Sequence, residues 1–140
     1  MPKLLLYSGW GTTNPGSGAK STHLRDVTLQ IRNSTNCDKT SPGRLAKGQF
    51  CADVPEGGKD ACLGDSGGPL ITKDEKDNNG AATLIGVVSW GIECGKKDQP
   101  GMYSEVSSFL GTGWLRDALV GASTCPPPQK SDWVIRDGNL

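Results

Sequence analysis

The sequence predicts an all-β fold: an antiparallel barrel of six or so short strands, followed by one C-terminal α-helix. Twenty glycines and nine prolines in 140 residues, with only 34% hydrophobic residues, suit short strands joined by many turns rather than a helical bundle. Short apolar or alternating runs recur along the chain, separated by clusters of Gly, Pro, Asn and Ser. Helical spacing of apolar residues occurs only late, between Trp114 and Leu119.

Taken in order, Leu4 to Ser8 reads as a first strand, and Gly9 to Lys20, rich in Gly, Thr, Asn, Pro and Ser, as a loop. Val27 to Arg32 alternates Val27, Leu29 and Ile31 against Thr28, Gln30 and Arg32, the pattern of a half-buried strand. Residues 34 to 46 are polar, with room for a helical turn before Pro42-Gly43. Gln49 to Ala52 is a short strand and Pro55 to Lys59 a loop. Leu70 to Thr72 leads into a charged, solvated hairpin loop, Lys73 to Gly80. Thr83 to Trp90 is the strongest strand, apolar on both faces, and Met102 to Val106 is the last. Trp114, Leu115, Ala118 and Leu119 line one face of a short helix that Gly121 ends. From Ala122 onward, Cys125-Pro126-Pro127-Pro128 and polar residues read as an irregular tail. These readings give one domain over residues 4–121 and a Pro-rich tail over 122–140.

The formal net charge is zero, from 15 basic and 15 acidic residues, so nothing points to a nucleic-acid or membrane-surface partner. No apolar run approaches a membrane span. Five cysteines point to an oxidising compartment, and several pairings are open on sequence alone. Met1-Pro2-Lys3 is followed by only three leucines, too few for a secretory signal. A disulfide-type chain without an export signal suggests that a preceding segment is missing. Asn33-Ser34-Thr35 is an N-glycosylation acceptor, a common triplet and weak support for secretion.

The chemistry concentrates in Asp60-Ala61-Cys62-Leu63-Gly64-Asp65-Ser66-Gly67-Gly68-Pro69-Leu70. It places the Ser66 hydroxyl in a tight turn with glycines on both sides. Glycine tolerates positive φ and lets a substrate come close to the backbone. Gly64 and Ser66 could then offer two N–H donors to a developing oxyanion. Taken alone, the segment is better read as a polar turn between strands. Its surroundings reverse that weighting.

Gly64-Asp65-Ser66-Gly67-Gly68-Pro69-Leu70 resembles the nucleophile loop of chymotrypsin/trypsin-like serine proteases. Ser8-Gly9-Trp10-Gly11, Phe50-Cys51-Ala52, Val88-Ser89-Trp90-Gly91 and Pro100-Gly101-Met102-Tyr103 are similar to that family's segments and stand in the same order. The resemblance covers about residues 4 to 120 and matches the family's second half only. It implies a six-stranded Greek-key β-barrel, the second barrel of the two-barrel serine protease fold, with the terminal helix.

The resemblance further implies that Ser66 is the nucleophile, that the N–H groups of Gly64 and Ser66 form the oxyanion hole, and that Asp65 pairs with an N-terminal amine made by activation cleavage. It places Asp60 at the floor of a pocket with Ser89, Trp90, Gly91 and Gly101 as walls. Such a pocket suits a substrate Arg or Lys, with Ser89 to Gly91 pairing with the substrate backbone. Ala61, where some relatives carry serine, slightly favours Arg. Pro100 stands where sodium-responsive relatives carry an aromatic residue, so no sodium site is expected. No metal or other cofactor is implied.

Two disulfides follow from the resemblance, Cys37 with Cys51 and Cys62 with Cys94, each typically worth about 2–4 kcal/mol. A third family bridge would join the positions of Leu5 and Thr72, where both cysteines are absent. Cys125 is left odd, free or paired with another chain.

The family's catalytic histidine and aspartate come from its first barrel. His23, the single histidine, lies in a polar segment before Val27 and reads as an exposed loop residue. The expectation is therefore the C-terminal half of a secreted trypsin-like endopeptidase, inactive alone for want of its base. Its partners would be protein or peptide substrates bearing Arg or Lys, and the missing N-terminal barrel or another chain. The alternative is a non-catalytic homologue that binds Arg- or Lys-bearing peptides or partner proteins. A disulfide-stapled structural protein without a pocket fits the ordered segments poorly.

Overall fold

The structure, a computed structural model, describes residues 4–14, 16, 18–33, 35, 37, 43–73, 82–111 and 113–122. They fall into two compact units, one running to Ser108 and one beginning at Phe109.

The first unit is a closed barrel of six antiparallel strands. They are β1 (Leu4–Gly9), β2 (Arg25–Ile31), β3 (Gln49–Asp53), β4 (Pro69–Lys73), β5 (Ala82–Trp90) and β6 (Gly101–Glu105). Around the barrel the order is β1-β2-β3-β6-β5-β4. Closure leaves no strand edge unpaired. The all-β reading and its six strands hold, with ends shifted by one or two residues. Val106 is the exception: it opens a helix, α1 (Val106–Leu110), which the sequence reading missed.

Period-two alternation sends Leu5 and Tyr7 of β1 inward, where they meet Leu29, Ala52, Leu70 and Tyr103 in one buried cluster. The β1–β2 register places Leu5 opposite Leu29 and Tyr7 opposite Val27. Ile31 continues the same alternation but is partly exposed, because it lies at the end of β2, where only Gln30 and Ile31 pair with β3. Phe50 stacks on Tyr103 at 5.7 Å between ring centroids, and its ring fills the space beside Gly86. A Cβ at Gly86 would come within 2.8 Å of Phe50 Cζ. A second cluster joins Cys37, Cys51 and Met102, with Leu45 and Trp90 against it.

The structure contains Cys37–Cys51 and Cys62–Cys94, with Cα separations of 5.8 and 5.4 Å. The first ties the segment after β2 to β3, and Cys37 N–H also donates to Asn33 O at 3.1 Å, closing one helical turn. Arg32 and Asp53 add an ion pair at 2.6 Å beside this junction. Leu5 and the strand carrying Thr72 are neighbours, since β1 pairs with β4 at Leu6–Ile71 and Tyr7–Leu70. The Leu5 side chain takes core space there.

Thr83 to Trp90 falls within β5, but Leu84 is 45% exposed, so this end of the strand is not apolar and covered on both faces. The core cluster reaches β5 at Ile85 and Val88 instead. The second unit contains α2 (Trp114–Ala122), which runs past Gly121. Gly113, at φ 90°, starts it, and its carbonyl accepts from Asp117 N–H at 2.8 Å. The face expected to be apolar is largely uncovered, Trp114, Ala118 and Leu119 being exposed. Of the expected loop Lys73 to Gly80, Lys73 instead closes β4; residues 74–80, most of the segment before Pro42-Gly43, and the tail with Cys125 lie outside the described residues.

Candidate functional site

Two consecutive tight turns carry Ser66. Asp65 N–H donates to Cys62 O at 2.9 Å, and Gly68 N–H donates to Asp65 O at 2.9 Å. Gly64 at φ 96° and Gly67 at φ 82° occupy backbone conformations that L side chains rarely adopt. The turn is then stitched to β5: Gly67 N–H donates to Val88 O at 2.9 Å and Val88 N–H to Gly68 O at 3.0 Å. Ser66 stands exposed at the tip. Among the described residues its hydroxyl makes no hydrogen bond, and the N–H groups of Gly64 and Ser66 are not spent on internal partners. An exposed hydroxyl beside two unspent donors supplies a nucleophile and an oxyanion cradle in form but, among the described residues, no base to take the hydroxyl proton.

Asp65 anchors this turn from beneath. It is buried, with Oδ1 accepting from Gly11 N–H at 2.7 Å and Oδ2 from Cys62 N–H at 2.8 Å. Thr12 N–H donates to Leu63 O at 2.9 Å alongside. The glycines of Ser8-Gly9-Trp10-Gly11 have a steric reason. A Cβ at Gly9 would collide with the Tyr7 hydroxyl and Asp65 Oδ1, and one at Gly11 with the Asp65 carboxyl. A Cβ at Gly68 would come within 2.8 Å of Asp65 O. Burial, and secondarily the adjacent Asp65, pushes the Tyr7 phenol up.

Asp60 is half-buried. Its Oδ1 accepts from Ala61 N–H at 2.8 Å and its Oδ2 from Gly95 N–H at 3.2 Å. Cys62–Cys94 carries Gly95 to this carboxylate. Burial raises the Asp60 carboxyl from 3.8 to about 6, and the two backbone hydrogen bonds offset only part of that rise. No cation pairs with it among the described residues. An under-compensated buried carboxylate of this kind favours a cationic ligand.

Gly101 is packed between Asp60 and Tyr103, since a Cβ there would lie 3.2 Å from Asp60 Oδ1 and 3.1 Å from the Tyr103 hydroxyl. Gly91 adjoins Gly101, a built Cβ on it reaching Gly101 Cα at 3.9 Å and nothing closer. The Gln49 side chain joins Ser89 and Trp90: its Nε2 donates to Ser89 Oγ, and its Oε1 accepts from Trp90 Nε1, both at 3.5 Å. The sequence reading did not single out Gln49, Gly95, Tyr7 or Tyr103. Gly95 follows Cys94 directly, which is the one signal that could have found it.

A cavity of about 530 Å³ runs along Asp60 and Asp65 and is lined also by Tyr7, Gly9, Gly11 and Gly95. Ser89, Trp90, Gly91 and Gly101 are not among its lining residues; they approach Asp60 through Gly101. His23 is exposed and hydrogen-bonds Thr22 Oγ1 through Nδ1 at 3.0 Å. Asn33, the glycosylation candidate, is exposed just beyond β2. Among the described residues no three His, Cys, Asp or Glu side chains group as metal ligands would, and no helix is long and apolar enough to cross a membrane.

The Trypsin family model matches residues 1–112. Trypsin-1 of Gadus morhua is 42% identical over 116 residues, covering 83% of this chain and 44% of its own length. Trypsin-3 of Salmo salar is 39% identical over 114 residues, 81% of this chain and 44% of its own. The clotting factor G beta subunit of Tachypleus tridentatus is 37% identical over 127 residues, 85% of this chain and 40% of its own. The chain thus spans less than half the length of these curated relatives.

Proposed function

This chain belongs to the trypsin family, and from that premise we propose that it is the nucleophile-bearing half of a secreted trypsin-like serine endopeptidase that cleaves after Arg or Lys. The observation that carries the reading is the pairing of an exposed, unpartnered Ser66, held by the Cys62–Gly68 turns, with a half-buried, unneutralised Asp60 six residues earlier, held by Ala61 and Gly95 N–H.

In this reading a substrate guanidinium or ammonium enters toward Asp60, past Gly91 and Gly101. The substrate backbone pairs with Ser89 to Gly91, behind which Trp90 is fixed by Gln49. Ser66 Oγ attacks the scissile carbonyl carbon and its proton passes to a base. The N–H groups of Gly64 and Ser66 stabilise the oxyanion. The amine leaves with that proton, and water then hydrolyses the acyl-enzyme. The cavity beside Asp65 suits a chain-terminal ammonium, which would hold the turn in its active shape. Asn33 would carry an N-linked glycan.

The base must come from elsewhere, because the one histidine, His23, is engaged with Thr22 in an exposed loop. An N-terminal barrel that carries the family's histidine and aspartate is the partner this reading requires. Loss of a triad member costs on the order of 10⁴–10⁶ in turnover, so a fluorophosphonate probe should label Ser66 of the 140-residue chain more slowly than intact trypsin by a similar order. Labelling at the intact enzyme's rate would contradict the account of the absent base. The half-buried Asp60 without a cation equally supports a second reading, a non-catalytic homologue that holds Arg- or Lys-bearing peptides at Asp60. A transcript whose in-frame upstream sequence encodes the family's His and Asp segments would decide for the protease; stop codons directly upstream of Met1 would decide for the binder.

A further inference from the structure

The open side of Gly64 is occupied by Lys20. A Cβ built on Gly64 would meet Lys20 Cε at 3.2 Å and Cδ at 3.7 Å, with Gly11 Cα behind them at 3.6 Å. The aliphatic stem of Lys20 therefore lies over the glycine whose N–H adjoins Ser66, with the ammonium one bond farther along. Backbone contacts hold it there. Thr12 and Lys20 form an isolated antiparallel bridge, and Ser21 N–H donates to Trp10 O at 3.2 Å and Gly11 O at 3.1 Å. Thr12 in turn donates to Leu63 O. Lys20 is exposed, and among the described residues its ammonium makes no ion pair or hydrogen bond.

Resting on the Ser66–Asp60 reading above, we propose that Lys20 selects substrates with an acidic side chain on the leaving-group side of the scissile bond. The direction follows by elimination. The basic side chain before the scissile bond goes to Asp60, and the chain preceding it lies along Ser89–Gly91. What remains is the segment after the bond, which leaves the acyl carbon past Gly64, where the Lys20 stem lies. An ammonium without a partner, on an exposed stem whose backbone is held beside this loop, is within reach of a carboxylate there, at the usual cost in side-chain freedom. The pair would be exposed, so the effect is a preference rather than a requirement.

The test uses the full 140-residue chain and fluorescein-labelled peptides read by anisotropy. One peptide carries Arg-Asp-Asp, an isosteric partner Arg-Asn-Asn, and a control has norleucine for Arg. The chain should bind the Asp-Asp peptide about threefold more tightly than Asn-Asn. That difference should fade at high salt, vanish in Lys20→Gln and reverse in Lys20→Glu. Unchanged circular dichroism would show that these exposed substitutions leave the barrel intact. Equal binding of the two Arg peptides, or a preference that survives Lys20→Gln, overturns the role of Lys20 and leaves Asp60 standing if the norleucine control still binds less. Binding of no peptide, or binding that ignores the Arg, overturns the Asp60 reading and this inference with it.

Discussion

Burial holds the Asp60 carboxyl at about 6, so at neutral pH the folded chain carries an ionised group it would sooner keep protonated. The sign of the linkage follows. A carboxyl raised on folding stabilises the fold below its unfolded value and loses that contribution as pH rises through the folded one. The window is therefore from 3.8 to about 6, and the full span corresponds to about 3 kcal/mol. Asp60→Asn should raise stability at pH 7 by about 1–2 kcal/mol, less than the full span because an amide oxygen cannot replace both acceptors. At pH 4 the difference should be small. Urea unfolding of both chains at the two pH values checks this; equal stability at pH 7 would mean that Asp60 is better solvated than its surroundings suggest. Gly11→Ala should be costly for the opposite reason, since a methyl there displaces the Asp65 carboxyl from its two backbone donors. A loss of about 2–4 kcal/mol is expected by thermal unfolding. Ser66, Asp60 and Asp65 were legible because a motif fixes them in sequence. Gln49, Tyr7 and Tyr103 were not. Their positions beside Trp90, Asp65 and Asp60 depend on strand register across the barrel, which no local pattern encodes.

The strands were legible because period-two burial leaves its mark in sequence, as at Leu5 and Tyr7 facing Leu29 and Leu70. α1 was not legible. Its five residues, Val-Ser-Ser-Phe-Leu, have too little length for a helical period, and Val106 continues an apolar strand pattern. The helix is announced instead by a side-chain contact, Ser108 Oγ donating to Glu105 Oε2 at 2.6 Å. The two disulfides close loops of different length, 14 and 32 residues apart in sequence. Chain entropy assigns them about 3 and about 4 kcal/mol. Their consequences should differ more than these values. Removing Cys62 and Cys94 as a pair releases Gly95 from Asp60, whereas removing Cys37 and Cys51 leaves that contact untouched. Replacing each pair by alanines should thus lower thermal stability in both cases, but should weaken a cationic pocket ligand, by about tenfold, only in the first. Equal loss of affinity in both variants would remove the disulfide from the account of the pocket.

Over the whole molecule, the barrel closes its hydrogen bonding but not its apolar surface. Trp10, Leu63, Leu4 and Leu24 are each more than half exposed, and Ile92 and Leu84 nearly so. Where such side chains adjoin, they form the kind of surface a partner covers. The proposed N-terminal barrel would supply that cover, and without one the chain should self-associate. Light scattering across the micromolar range should show a mass that rises with concentration; a fixed monomer mass would mean that the barrel needs no partner surface. The matched relatives are more than twice as long as this chain's share of them.

The central claim is that Asp60 and Ser66 share one site for a basic side chain. Titration calorimetry with benzamidine, whose amidinium mimics the arginine head group, tests it most directly. The account predicts one site per chain, binding that strengthens from pH 4.5 to pH 7.5 as Asp60 ionises, and its loss in Asp60→Asn. No heat of binding to the folded wild-type chain, or binding that survives Asp60→Asn, would contradict it.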